Sequence, residues 1–201
     1  MATAFLLMGP PGVGKTTLLR RLIALLDVPA AGFFTAEIRE GDRRVGFAIE
    51  DLAGRRGVLA REAGHGRETP TAGPRVGRYR VDVAALDAVG AAALERGRAE
   101  ADLLVIDEIG KMEAFSPRFR AAVERALETP GAVIVGTILK AAHPWIDGVK
   151  ARSSVRLVPI TAASRDAALA PLAEQVRAAL ADAARARAGV PPQAAAAGNA
   201  P

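Results

Sequence analysis

The sequence predicts an α/β domain with a mostly parallel central sheet, helices on both faces and one added β-hairpin. Three observations carry this. Short, fully apolar runs alternate with stretches of helical period, the pattern of parallel strands buried on both sides. A glycine-rich turn links the first such run to the first such stretch. The 201 residues, half of them apolar, are enough for one well-packed α/β core and too few for two generous ones.

Ala4 to Met8 is the first strand, and Leu18, Leu19, Leu22, Ile23 and Leu26 place a helix after the turn. Beyond a break at Pro29 to Gly32, Phe33 to Arg39 and Val45 to Glu50 are extended segments around Gly41 and Asp42, a β-hairpin that decorates the parallel core. Residues 61–78 are rich in Gly, Arg and Pro, include His65 and lack a period; they are expected to form a long loop and a candidate lid. Asp82 caps a helix carrying Val83, Leu86, Val89 and Leu94 that ends near Arg98. Leu103 to Ile106 is a buried strand. Ser116 and Pro117 begin a helix with Phe119, Val123 and Leu127 on one face, and Pro130 and Gly131 stop it. Ala132 to Val135 and Ser154 to Ile160 are further strands. A last helix starts near Ser164 and buries Leu169, Leu172, Val176 and Leu180. The domain is expected to span residues 1–185, followed by an Ala/Pro/Gly/Gln-rich tail over 186–201 with no anchoring pattern.

Composition narrows the function classes. Without cysteine, disulfides, thiolate chemistry and cysteine-ligated zinc are excluded, which is compatible with a reducing cytosol and gives the cytoplasm as the expected location. The first eight residues lack a basic segment and an apolar run long enough for a signal peptide or membrane span. A formal charge of +5 raises nucleic acid as a partner. The arginines, however, are scattered, only Lys15, Lys111, Lys140 and Lys150 are lysines, and aromatic residues are scarce, so nucleic acid is not expected. A monomer is the starting expectation for the oligomeric state.

Chemistry concentrates in two motifs. Gly9-Pro10-Pro11-Gly12-Val13-Gly14-Lys15-Thr16 matches the P-loop pattern at every fixed position and sits between strand and helix, as a phosphate cradle must. Gly12 and Gly14 let the backbone approach an anion and adopt left-handed angles. The helix N-terminus offers unpaired amides and the positive end of its dipole. Lys15 suits the β- and γ-phosphates, the Thr16 hydroxyl can ligate Mg²⁺, and Thr17 suits the α-phosphate.

Leu103-Leu104-Val105-Ile106-Asp107-Glu108 delivers two carboxylates to a strand's carboxyl end, the edge where the cradle is also expected. Asp107 is placed like the aspartate that holds Mg²⁺ through its water shell, while Glu108, on the other side of the pleat, can orient or deprotonate a water attacking the γ-phosphorus. Lys111 is either a cation near the γ-phosphate or a solvated surface lysine. Thr137 is either a sensor of that phosphate or a turn residue. Thr161-Ala162-Ala163-Ser164-Arg165-Asp166 lies where Arg165 can meet a base, unless Ser164 is simply a helix cap. His65 and His143 lack ligand spacing and are expected to be surface histidines.

With GPPGVGKTTL, GFFTAEIRE, RRVGFAIEDLAGRRGVLAR, VGRY and VIDEIGKMEAFSPRF in view, residues 4 to about 180 resemble the small thermophile-type nucleoside triphosphatase family. The resemblance implies a three-layer, RecA-like P-loop NTPase fold and slow, Mg²⁺-dependent hydrolysis of several nucleoside triphosphates, among them ATP, GTP, CTP and UTP. It also implies nucleotide contacts over Gly9 to Thr16 and over Leu103, Leu104, Val105, Ile106, Asp107, Glu108, Ile109 and Gly110. The family commonly has Asn where this chain has Ser164. Two alternatives stand beside hydrolysis. One is a P-loop phosphotransferase with an acceptor under the 61–78 loop, against which Glu108 beside Asp107 favours water. The other is a nucleotide-dependent switch; a guanine-reading Asn-Lys-x-Asp motif is ruled out because Asn199 is the chain's one asparagine. No arginine finger is assignable from sequence, so slow intrinsic turnover is expected.

Overall fold

Residues 2–62 and 72–189 are described by the structure, a computed structural model. The N-terminal apolar run forms β1 (Thr3–Met8), and the cradle leads directly into α1 (Lys15–Leu26). The strands β2 (Ala30–Glu40) and β3 (Arg43–Asp51) form the expected hairpin, turning at Gly41 and Asp42. β4 (Arg56–Glu62), β5 (Arg75–Val76) and β6 (Tyr79–Val81) follow. Asp82 then accepts the Ala85 amide at 2.9 Å and opens α2 (Val83–Leu86), which passes through a π-helical turn over Asp87–Ala91 into α3 (Ala92–Glu100). Next come β7 (Leu103–Ile109), a 3₁₀ turn (Glu113–Phe115) and α4 (Pro117–Glu128), the last capped as expected by the Ser116 hydroxyl on the Phe119 amide at 2.8 Å. β8 (Val133–Ile138), α5 (Pro144–Lys150), β9 (Val155–Pro159) and α6 (Leu169–Arg187) complete the order.

Among the described residues the strands make one nine-stranded sheet in the order β5-β6-β4-β3-β2-β7-β8-β1-β9. From the first residues of β2 through β9 the pairing is parallel; beyond β2 it is antiparallel. Alternation along the strands feeds two cores. Ala4, Leu6, Leu104 and Ile106 pack with Leu86, Leu94, Phe119, Val123 and Ile146 on one face, while Phe5, Leu7, Leu103 and Val105 pack with Leu18, Leu22, Leu172 and Val176 on the other. Helix, sheet and helix thus form three layers.

The expected hairpin is the start of a larger antiparallel extension. β2 belongs to both regions, pairing β7 through Ala30–Phe33 and β3 through Phe33–Glu40. The loop expected over 61–78 overlaps β4 and β5, and its middle, with His65, lies outside the described residues. Ser164 does not cap α6, which begins at Leu169. Instead Thr161 and Ser164 cap each other: the Ser164 amide donates to the Thr161 hydroxyl at 3.1 Å, and the Thr161 amide donates to Ser164 Oγ at 3.0 Å. The boundary expected at 185 falls inside α6, and residues 190–201 lie outside the described ones. Among the described residues, no helix is long and apolar enough to cross a membrane.

Candidate active site

The order of the sheet sets the site. β1, which feeds the cradle, and β7, which carries the paired carboxylates, flank β8, so their carboxyl ends open on the same edge with one strand between them. At the end of β1 the chain turns through Gly12 (φ 74°) and Gly14 (φ 95°), left-handed angles that side-chain-bearing residues rarely adopt. Gly14 is also the residue just before α1, so the first amides of that helix face the turn. The Lys15 ammonium lies back over the loop, donating to the carbonyls of Gly9 at 3.1 Å and Pro10 at 3.2 Å.

Thr16 and Asp107, 91 positions apart, meet directly: the hydroxyl donates to Asp107 Oδ1 at 3.1 Å. Thr137, at the end of β8, donates to the same oxygen at 2.8 Å, and the Thr35 amide reaches Asp107 Oδ2 at 3.4 Å. Asp107 is almost fully buried, and burial pushes its pKa up; the bonds from Thr137, Thr16 and Thr35 pull it back. A hydroxyl and a carboxylate in contact are the hard oxygen donors that Mg²⁺ takes from a protein, since this ion keeps most of its waters and needs few side chains. The donor set fits Mg²⁺, with Thr16 and Asp107 as the residues that would hold it. Thr137, weighed from sequence as a phosphate sensor or a turn residue, is instead fully buried with its hydroxyl bonded to Asp107.

A cavity of about 510 Å³ runs from Pro11, Gly12 and Gly14 to Thr17 on one side and to Thr35, Glu37, Arg44 and Phe47 of the hairpin on the other, with Glu108 on its wall. Burial raises the Glu108 pKa and the charge of Lys15 opposes that rise. A second cavity, about 350 Å³, adjoins the first through Pro11, Thr35, Arg44, Phe47 and Glu108; Leu59, Tyr79, Met112 and Leu139 supply much of its apolar wall. Lys111 is exposed at its edge. Glu113 also lines it, and burial, then the nearby Glu108 charge, pushes the Glu113 carboxyl up to about 8.

The structure therefore brings Gly12, Gly14, Lys15, Thr16, Thr17, Asp107 and Glu108 to one edge. Leu103 to Ile106 lie sealed in the two cores and line neither cavity; their place is to hold Asp107 and Glu108 at the strand end. Gly110 lines the second cavity, and Ile109 is buried beside it. Arg165 stands over the start of α1, where a β-carbon built on Gly14 would come within 2.8 Å of its Cδ, and its guanidinium pairs with Asp166 at 3.0 Å. His143 precedes α5, away from both cavities. Sequence reasoning missed Thr35, Arg44 and Glu113. Glu113 stood inside the VIDEIGKME segment, but nothing in its spacing tells that the chain folds it back under Glu108.

The sequence profile of the NTPase family matches residues 4–173. Nucleoside-triphosphatase THEP1 of Thermotoga maritima is 42% identical over 165 residues, covering 82% of this chain and 90% of its own length. The human cancer-related nucleoside-triphosphatase is 39% identical over 178 residues, 83% of this chain and 92% of its own. The crystal structure of THEP1 from the hyperthermophile Aquifex aeolicus superposes with a TM-score of 0.74 at 31% identity, over 88% of this chain and 99% of that one. With a profile matched over most of its length, relatives of this identity and the same three-layer fold, the chain belongs to the NTPase family.

Proposed function

We propose that the chain is a Mg²⁺-dependent nucleoside triphosphatase that cleaves the β–γ phosphoanhydride bond of ATP, GTP, CTP and UTP, slowly and with little choice of base. The observation that carries it is the meeting of the two strand ends: Thr16 against Asp107, with Lys15 and Glu108 on one cavity. The amides of Gly12 to Thr17 and the α1 N-terminus bind the polyphosphate. Lys15 exchanges its loop carbonyls for the β- and γ-phosphate oxygens. Thr16 and Asp107 would hold Mg²⁺, which when bound would supply positive charge to the polyphosphate. Glu108 orients a water in line with the γ-phosphorus and accepts its proton; the water oxygen bonds to phosphorus as the bond to the bridging oxygen breaks, leaving the nucleoside diphosphate and inorganic phosphate. A carboxyl whose pKa burial raises is, once ionised, a stronger base than an ordinary surface glutamate. Broad base use follows from the side of the cradle at Gly14, where Arg165 offers a planar cation that stacks on any base. The names of the relatives are in keeping with hydrolysis, and the absence of cysteine with a reducing cytosol.

The second cavity beyond Glu108 is the observation that favours a phosphotransferase as the rival. Phosphate release from each of the four nucleotides, with and without small hydroxyl acceptors, separates the two. Release that is acceptor-independent and abolished by chelating Mg²⁺ is expected, and strictly acceptor-dependent product would make the chain a kinase. Glu108→Gln is expected to bind nucleotide normally while hydrolysis falls at least about 100-fold; undiminished hydrolysis would take Glu108 out of this role.

A further inference from the structure

Sequence reasoning finds no arginine for the transition state, yet the fold brings one to the reacting end of the cavity. We propose that Arg44 is an arginine finger supplied by the chain to itself: on β3, it contacts the terminal phosphate as the β–γ bond breaks. The inference rests on the hydrolytic reading above and names a further catalytic residue for it.

The sheet order gives the direction. Arg165, at the base side of the cradle, follows β9 at one edge of the parallel region, whereas β7 and β2, with Glu108 and the hairpin, lie on the other side of β8. A polyphosphate whose base lies by Arg165 points its last phosphate toward the hairpin. Arg44 and Glu108 both line the cradle cavity and both line the adjoining one, so a cation and a carboxylate share the wall between them. That wall is where an attacking water and the transferring γ-phosphoryl group would meet.

The guanidinium is also held ready. Its Nη1 donates to Glu37 Oε1 at 2.7 Å, its Nε donates to the Tyr79 hydroxyl at 3.1 Å, and its Cζ lies 4.9 Å from the Phe47 ring centre. Among the described residues nothing accepts from Nη2, which leaves that side of the planar fork free for a phosphate oxygen. The rival cation on this cavity, Arg20, stacks at 4.0 Å on Phe34 and stems from the body of α1. Lys15 is tied to the cradle itself. An arginine carried within the same chain is compatible with slow turnover: such enzymes reach about 10⁻² s⁻¹, far below those given an arginine by a partner.

The test compares wild type, Arg44→Ala, Arg44→Lys and Arg20→Ala in single-turnover GTP hydrolysis with Mg²⁺, together with binding of a fluorescent GDP alone and with aluminium fluoride, which mimics the transferring phosphoryl group. Both Arg44 variants are expected to lose about 10²–10³-fold in rate. They should bind GDP as wild type does, fail to form the aluminium fluoride complex, and, for Arg44→Ala, regain part of the rate with added guanidinium ion. Arg44→Lys keeps a cation and guards against a folding defect in the alanine variant, because a lysine cannot reproduce the planar fork. Arg44→Ala within a few-fold of wild type and still trapping aluminium fluoride, or Arg20→Ala showing the collapse instead, overturns the proposal. A wild type that releases no phosphate, by contrast, defeats the hydrolytic reading itself.

Discussion

Glu113 shows what a single residue can reveal about this site. Its carboxyl is almost fully buried beside Glu108, so losing its proton would place a second negative charge where water screens it poorly. In the unfolded chain a glutamate titrates near 4.5, whereas here burial and the Glu108 charge raise it to about 8. Between these values the folded protein keeps a proton that the unfolded chain has released, and stability falls as pH rises. The contribution is complete below the unfolded value and is lost as pH climbs through about 8. Each pH unit within that window corresponds to about 1.4 kcal/mol. Thermal unfolding of the nucleotide-free protein at pH 5 and pH 8.5 should therefore show wild type losing markedly more stability than Glu113→Gln, which carries no titrating proton; parallel losses would show that Glu113 is ionised throughout. The meeting of Thr16 and Asp107 was legible in the sequence because each belongs to a motif that places it at the carboxyl edge of the sheet. Glu113 and Arg44 were not, because tertiary folding brings each to the cavity: Glu113 by the 3₁₀ turn after β7, Arg44 by the pairing of β3 with β2, whose first residues pair with Leu103–Ile106 of β7.

At the level of elements, close approach decides how α3 sits on the sheet. Gly97 faces Ala31 of β2, and a β-carbon built on it would come within 2.3 Å of the Ala31 Cβ and 3.0 Å of Leu104 Cδ2. Helix propensity alone favours alanine over glycine by about 1 kcal/mol. Separating two β-carbons that close requires the helix or β2 to shift by more than an ångström, and overpacking of this kind costs about 1–3 kcal/mol. Packing is expected to win, so Gly97→Ala should lower the melting temperature by several degrees, and an unchanged or higher value would mean that α3 slides freely on β2. The shift would also disturb β2, whose Thr35 amide bonds Asp107, so packing and site are linked. The elements read correctly from sequence were those with a strong period or a cap, such as the helix opened by Ser116 and Pro117. β4 was missed because Arg56–Glu62 mixes arginine, glycine and glutamate with only a short apolar centre, and α5 because seven residues are too few to display a helical period. The antiparallel extension beyond β3 is held by pairing between strands, which no local pattern records.

In the whole molecule, the cradle and the carboxylates belong to different parts of the chain joined by the sheet. α1 stands on the core with α6, while the hairpin and the turn after β7 stand on the opposite core with α4. A nucleotide bound as proposed touches both, so it acts as a clamp across the molecule and binds the folded chain alone. At a concentration 100 times its dissociation constant such a ligand adds about 2.7 kcal/mol. For a domain of this size, with roughly 2–4 °C per kcal/mol, the melting temperature should rise by about 5–10 °C in a non-hydrolysable triphosphate with Mg²⁺. Lys15→Ala removes the mobile cation but leaves the fold's two cores untouched, so it should melt near the wild-type value without nucleotide and show little rise with it. Glu108→Gln, in contrast, should keep the full rise, because its carboxylate is assigned to the water rather than to the phosphates. A Lys15→Ala protein stabilised as much as wild type at the same nucleotide concentration would show that the polyphosphate is gripped somewhere other than the α1 cradle.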